Sequence, residues 1–170
     1  CDWYVELAKI RLQGIDGQEK EAARTILVQV LSGTLKVLHP FMPYITEELY
    51  AALLPYSGES ARFILRAGAP KLDHDWNNVD ALRAMGVLMD AVTAIRSLSS
   101  QLNVPPGLKL RVVASSLETL TDKQSAYLTT LARLESLQQG ARPNKSATAV
   151  AAGTSFFVPL EGVIDFAQER

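Results

Sequence analysis

Apolar residues recur at helical spacing through the first hundred positions, and the spacing then changes. Trp3, Leu7 and Ile10 share one face of a helix predicted over residues 3–12, which Gly14, Asp16 and Gly17 end. A second helix is predicted over residues 19–38, where Leu27, Leu31, Leu35 and Leu38 make a continuous stripe. His39-Pro40-Phe41-Met42-Pro43 breaks it, because proline disfavours helical geometry in the residue before it. A third helix starts at Pro43, whose fixed φ suits a first turn, with Glu47 and Glu48 toward the positive end of its dipole. Ile45, Leu49 and Leu53 are its expected buried face, and Pro55 follows its end. Amphipathic helices this closely connected pack as antiparallel neighbours, so a helical bundle is expected.

Residues 55–78 read as a connector with one short apolar piece, Phe63-Ile64-Leu65. Asn78 or Asp80 caps a long fourth helix ending near residue 102, with Leu82, Met85, Met89, Val92, Ile95 and Leu102 turned inward. Asn103-Val104-Pro105-Pro106-Gly107 stops it. The period then falls to two: Leu108, Leu110, Val112 and Ala114 alternate with Lys109, Arg111 and Val113, the pattern of a half-buried strand. Thr121 and Gln124 have the spacing of a capping box, opening a helix whose Leu128, Leu131 and Leu134 pack on that strand. Ala147 to Ala151 and Ser155 to Leu160, separated by Ala152-Gly153-Thr154, predict a β-hairpin. The expected fold class is mainly α: a helical bundle over residues 1–106, then a small α+β strand-helix-hairpin unit over residues 107–170.

Composition adds limits. With 170 residues, 48% hydrophobic and 21% charged, the chain can bury a core and has no segment of disordered composition. No apolar run approaches the roughly 20 residues that span a bilayer, and the start of the sequence lacks a signal-peptide pattern. Cys1, the single cysteine, has no partner for a disulfide. A cytoplasmic protein is expected, without membrane or DNA partners. The sequence starts without methionine, in a pattern that reads as mid-helix, so a piece of a longer chain is expected.

Net charge is −1, which on its own does not suggest a nucleic-acid binder. The charge is uneven, however. From Leu108 to Ser146, Lys109, Arg111, Lys123, Arg133, Arg142 and Lys145 face only Glu118, Asp122 and Glu135, a local excess of three positive charges. This reads either as a modest basic patch or as dispersed, solvated charge.

Candidate chemistry is sparse. His39, between a leucine and a proline at a helix end, reads as a capping or packing residue. Asp73-His74-Asp75 are adjacent and do not converge on one point as metal ligands or a catalytic pair would. Glu47 and Glu48 point about 100° apart on a helix and cannot flank one bond. No Gly-rich phosphate loop, nucleophile elbow or zinc motif is present, so no catalytic site and no cofactor are expected within these residues. Arg96 is more informative. It lies roughly 40° from Val92 on the fourth helix, with Ser99 in the same sector, so the apolar stripe turns polar in the last two turns. Arg96 then either snorkels past the core and caps nearby carbonyls, or presents its charge to RNA.

Several stretches together resemble the valyl-tRNA synthetase family. They are Cys1-Asp2-Trp3-Tyr4-Val5-Glu6-Leu7-Ala8-Lys9, Leu38-His39-Pro40-Phe41-Met42-Pro43-Tyr44-Ile45-Thr46-Glu47-Glu48-Leu49-Tyr50, the stretch from Ile95-Arg96 to Asn103-Val104-Pro105-Pro106, and Val158-Pro159-Leu160-Glu161-Gly162-Val163-Ile164-Asp165. The second is similar to a segment shared by the valyl, isoleucyl and leucyl enzymes, and the last is the most specific to the valyl branch. The resemblance covers the whole sequence. It implies an anticodon-binding helical bundle of the class I synthetase type, a small α/β unit, and then a coiled coil starting near Gln168-Glu169-Arg170. Earlier bundle helices would precede Cys1, and Ser99 stands where the family often has a second arginine.

What the resemblance implies about function is a binding module of a valine–tRNA ligase, holding tRNA(Val) for ATP-dependent aminoacylation by a catalytic domain outside this sequence. Its partners would be tRNA(Val) and the parent's catalytic and coiled-coil domains, and the parent would use ATP and magnesium. The candidate RNA-binding residues are Arg96, Ser99, Lys109 and Arg111. Two alternatives stay open: the equivalent region of an isoleucyl or leucyl synthetase, and a structural helical module that hardly touches RNA.

Overall fold

A computed structural model describes residues 2–70, 77–105 and 107–160. Asp73-His74-Asp75, Pro106, the Glu161 to Asp165 end of the Val158 motif and the expected start of a coiled coil lie outside the described residues. The chain is mainly helical with one small sheet and divides into two compact units, Cys1–Trp76 and Asn77–Arg170. The long fourth helix, grouped with the bundle on sequence, therefore belongs to the second unit.

The first unit holds α1 (Asp2–Gln13), α2 (Gly17–Leu38), α3 (Pro43–Ser57) and a 3-10 turn (Ile64–Arg66). Asp16 starts α2 by accepting the N–H groups of Gln18 and Glu19, two of the donors that a helix leaves without partners at its start. Leu7 and Ala8 of α1 and Ala23 of α2 are buried where these helices pack together. Only Leu35 of the expected α2 stripe is fully buried, while Leu31 is exposed.

The expected face of α3 is rotated by one residue. Ile45 and Leu49 are 52% and 46% exposed, whereas Thr46 and Tyr50, one position on in each turn, are fully enclosed. Hydrogen bonding explains the choice. The Thr46 hydroxyl donates to the Met42 carbonyl at 2.7 Å and lies 2.7 Å from His39 Nδ1. The hydroxyl is within hydrogen-bonding distance of both the Met42 carbonyl and the His39 ring. His39 thus has the packing role expected of it, tying the end of α2 to α3. Tyr50 packs with Leu35 and Ile64, with Leu53, Leu54 and Ala67 around them, and its hydroxyl donates to the Ala61 carbonyl at 3.2 Å.

Two further expectations for this region are corrected. Pro55 lies inside α3 rather than after it, and Gly58 ends the helix in the left-handed conformation (φ 67°). Glu47 and Glu48 lie beyond the first turn, and Glu47 instead accepts the Ile64 N–H, which anchors the connector. The connector folds back on α2 as well, through a largely buried ion pair between Lys36 and Glu59.

The second unit runs α4 (Val79–Gln101), β1 (Leu110–Ala114), α5 (Asp122–Leu131), β2 (Leu134–Gln139), β3 (Ser146–Ala151) and β4 (Thr154–Pro159). Asn78 caps α4 through the Ala81 N–H, and Thr121 and Gln124 complete the expected capping box of α5. The sheet order is β2-β1-β4-β3, with β1 parallel to β2 and antiparallel to β4, and β3 antiparallel to β4. The β3–β4 hairpin turns on Ala152 and Gly153, both at positive φ (49° and 78°), as a two-residue turn matched to strand twist requires.

Strand β2 departs from the sequence expectation. Leu134, assigned to the packing face of α5 on sequence, is its first residue, and α5 becomes the crossover that a parallel pair needs. Both α4 and α5 pack on the sheet and on each other, α4 against β3 and α5 against β2. The core between them contains Leu88, Val92, Ile95, Val112, Leu128, Phe156 and Val158, all fully buried. The α4 stripe is also displaced from the expected one: Leu82 is 66% exposed, and Leu88, Ala91 and Leu98 are buried in addition to Val92 and Ile95.

Candidate nucleic-acid interface

The end of α4 is built by backbone geometry before the prolines act. Asn103 takes the left-handed conformation (φ 51°) and donates its N–H to the Ser100 carbonyl, while Val104 donates to Ser99, each at 3.1 Å. This pair of bonds closes a helix C-terminus and favours glycine or asparagine at the turning residue. The same event ends α5, but there the turning residue is Arg133 (φ 54°), whose N–H reaches the Thr130 carbonyl. Neither asparagine nor glycine, Arg133 bears a backbone strain of about 1–2 kcal/mol.

Arg96 stands on α4 outside the buried stripe, which continues to Leu98 rather than turning polar. The Arg96 side chain donates from Nε and Nη2 to one acceptor, the Leu131 carbonyl, at 3.1 and 2.7 Å. Leu131 is the last residue of α5, so this carbonyl is one that the helix leaves without a partner, at the negative end of its dipole. The capping role left open on sequence is therefore the one the geometry contains. Arg96 and Ser99 line one groove of about 360 Å³ together with Val104, Pro105, Leu108, Leu131 and Arg133.

Lys109 is exposed just before β1 and lines a second groove of about 500 Å³, with Leu108, Thr129, Thr130 and Arg133. Arg111 stands apart from both. It projects from the exposed side of β1 and pairs with Glu135 of β2 at 3.4 Å, a solvent-facing ion pair worth at most about 1 kcal/mol. The structure thus brings Arg96 and Ser99 together, places Lys109 in the adjoining groove, and gives Arg111 an acidic neighbour. It adds Arg133, which lines both grooves. Arg133 lies in the basic stretch recognised on sequence, but its position at the helix end is hidden there because the pattern carries α5 on through Leu134.

Replacing Arg96 tests the capping contact. Arg96→Ala removes both bonds to Leu131 and is expected to cost about 1 kcal/mol, the lower end for a charged donor because this side chain is exposed. Thermal unfolding should show a loss of roughly 4–8 °C for a unit of this size. An unchanged midpoint would show that the contact contributes nothing to the fold.

Comparison with known proteins gives these grooves a context. The family model described as "Anticodon-binding domain of tRNA ligase" matches residues 1–114. The chain is 36% identical to the valine–tRNA ligase of Geobacillus kaustophilus over 99% of its own length, and 37% identical to that of Carboxydothermus hydrogenoformans over 100%. In each case it spans about 20% of the longer protein. The match to the family model runs through α1 to α4 and the whole of β1, and on that ground the chain belongs to the family of anticodon-binding domains of tRNA ligases.

Proposed function

We propose that this chain is the anticodon-binding module of a valine–tRNA ligase, holding tRNA(Val) while a catalytic domain elsewhere in the protein performs ATP- and magnesium-dependent aminoacylation. The observation that carries the reading is similarity to valine–tRNA ligases over the whole chain, beyond the 114 residues that the family model matches. That extended match favours the valine enzyme over the isoleucine and leucine enzymes. Recognition would combine phosphate contacts that fix register with stacking and base-edge bonds to unpaired anticodon bases.

A structural role without RNA contact has one observation in its favour, the use of two Arg96 donors on a protein carbonyl. Photo-crosslinking in the full-length ligase separates the two readings. A photoreactive nucleotide in the anticodon loop of tRNA(Val) should mark peptides from this region, and an anticodon-swapped tRNA should compete poorly. Crosslinks confined to other regions would leave the chain a structural module.

A further inference from the structure

The grooves on either side of Arg133 share Leu108 and Arg133 as lining residues, and among the described residues neither is lined by an aspartate or glutamate. We propose that they form one track for the sugar-phosphate backbone of RNA, with Arg96, Arg133 and Lys109 as successive phosphate contacts. This deepens the module reading and rests on it, because it assigns a backbone contact to the small α/β unit in addition to any contact made by the helices of the first unit.

Three features favour a backbone over a small anion. The cations are distributed over two adjoining grooves, Arg96 in one, Lys109 in the other and Arg133 in both, whereas a single-anion site gathers its donors around one point. Charge agrees with this: residues 77–160 hold eight Lys and Arg against five Asp and Glu, while the whole chain is at −1. Apolar Val104, Pro105 and Leu108 line the same groove as Arg96 and Arg133 and offer surface to ribose.

Hydroxyl chemistry favours RNA in particular. Thr129 and Thr130 in the second groove donate their protons to the Ser125 and Ala126 carbonyls at 2.8 and 3.0 Å. Their oxygens are left as acceptors, the complement of a ribose 2′-hydroxyl donor. Arg96 uses two of its five N–H groups on Leu131, which also fixes the plane of its guanidinium. Arg133 stands at positive φ, where glycine would be relaxed, and its side chain lines both grooves.

The test uses the full-length ligase that carries this region, with tRNA(Val) as probe. Binding is measured from about 50 to 200 mM salt for the parent, Arg133→Gly and Lys109→Gln, together with thermal unfolding. Arg133→Gly removes the guanidinium and relieves the positive φ, and the dissociation constant should rise roughly threefold to tenfold whatever the sign of the change in unfolding midpoint. The salt dependence should become shallower by about 0.7–0.9 in log–log slope for each phosphate that is no longer neutralised. Lys109→Gln should reproduce the slope change without a change in unfolding. Slopes equal to the parent's in both variants would overturn the track, as would an Arg133→Gly that leaves binding intact. The module reading is judged separately by discrimination against the anticodon-swapped tRNA: kept with unchanged slopes, only the track fails; absent in the parent, the module reading fails.

Discussion

Tyr50→Ala should destabilise the first unit by about 3–5 kcal/mol, the cost of removing a large aromatic side chain from a closed core. Tyr50 is fully buried, and it is the shared contact of Leu35 and Ile64, so truncation leaves a cavity between α2, α3 and the connector. Its bond to the Ala61 carbonyl disappears with it. In urea unfolding the midpoint should fall steeply, and amide exchange in α2 and α3 should lose most of its protection. A midpoint within experimental error of the parent's would show that the unit does not depend on this cluster.

The same residue gives the unit an alkaline limit. Burial, and then the nearby carboxylates of Glu59 and Glu47, hold the Tyr50 phenol above its ordinary value. The neutral form is thereby favoured in the folded state. Stability is complete below the unfolded value near pH 10 and is lost as pH rises toward the folded one. Tyr50→Phe keeps the ring and removes the titration, so it should flatten this alkaline decline while giving up about 1 kcal/mol for the hydrogen bond near neutral pH.

Phe156→Ala should have a comparable effect on the second unit, again about 3–5 kcal/mol. Phe156 lies on β4 between Ala114 of β1 and Ala149 of β3, and these small neighbours make room for its ring beneath the helices. Neither alanine can expand to fill the space that truncation leaves. The β3–β4 and β1–β4 amides should therefore exchange much faster in the variant, and retained protection would mean that the sheet does not rest on this ring.

Where the sequence predicts structure well, one strong local signal decides the outcome. The Asn78 cap, the Thr121–Gln124 box, the Ala152-Gly153 turn and the alternation from Leu110 to Ala114 each act within a few residues, and all are present. Faces of helices are harder to assign, because a rotation of about 100° between Ile45 and Thr46 depends on what lies opposite. There His39 and the Met42 carbonyl make a polar residue the better one to bury. Leu82 and Met85 extend a convincing stripe on α4, yet the sheet that selects Leu88, Val92 and Ile95 is assembled from strands later in the chain.

The candidate interface is legible as a region rather than as a geometry. Arg96 and Ser99 stand out by their place on the helix, and they do share a groove. Lys109 and Arg111, two positions apart in an alternating strand pattern, look equivalent in the basic stretch. They differ because Arg111 has Glu135 across the parallel pair, while Lys109 precedes the strand and lines a groove. Arg133 escapes notice because its importance comes from the end of α5, and that end is set by a strand that the sequence hardly announces.

That inconspicuous strand gives the sheet a polar rim. β2 forms one edge of the sheet, and its Leu134-Glu135-Ser136-Leu137-Gln138-Gln139 sequence has little apolar alternation by which to recognise it. An edge rich in hydrophobic side chains would recruit strands from other chains, whereas one with Glu135 and exposed amides offers them little to bury. Parallel pairing with β1 is secured instead by α5 and by Leu134, the buried residue of β2. The polarity that hides β2 in the sequence thus allows it to stand at the rim of the sheet without becoming a template for assembly.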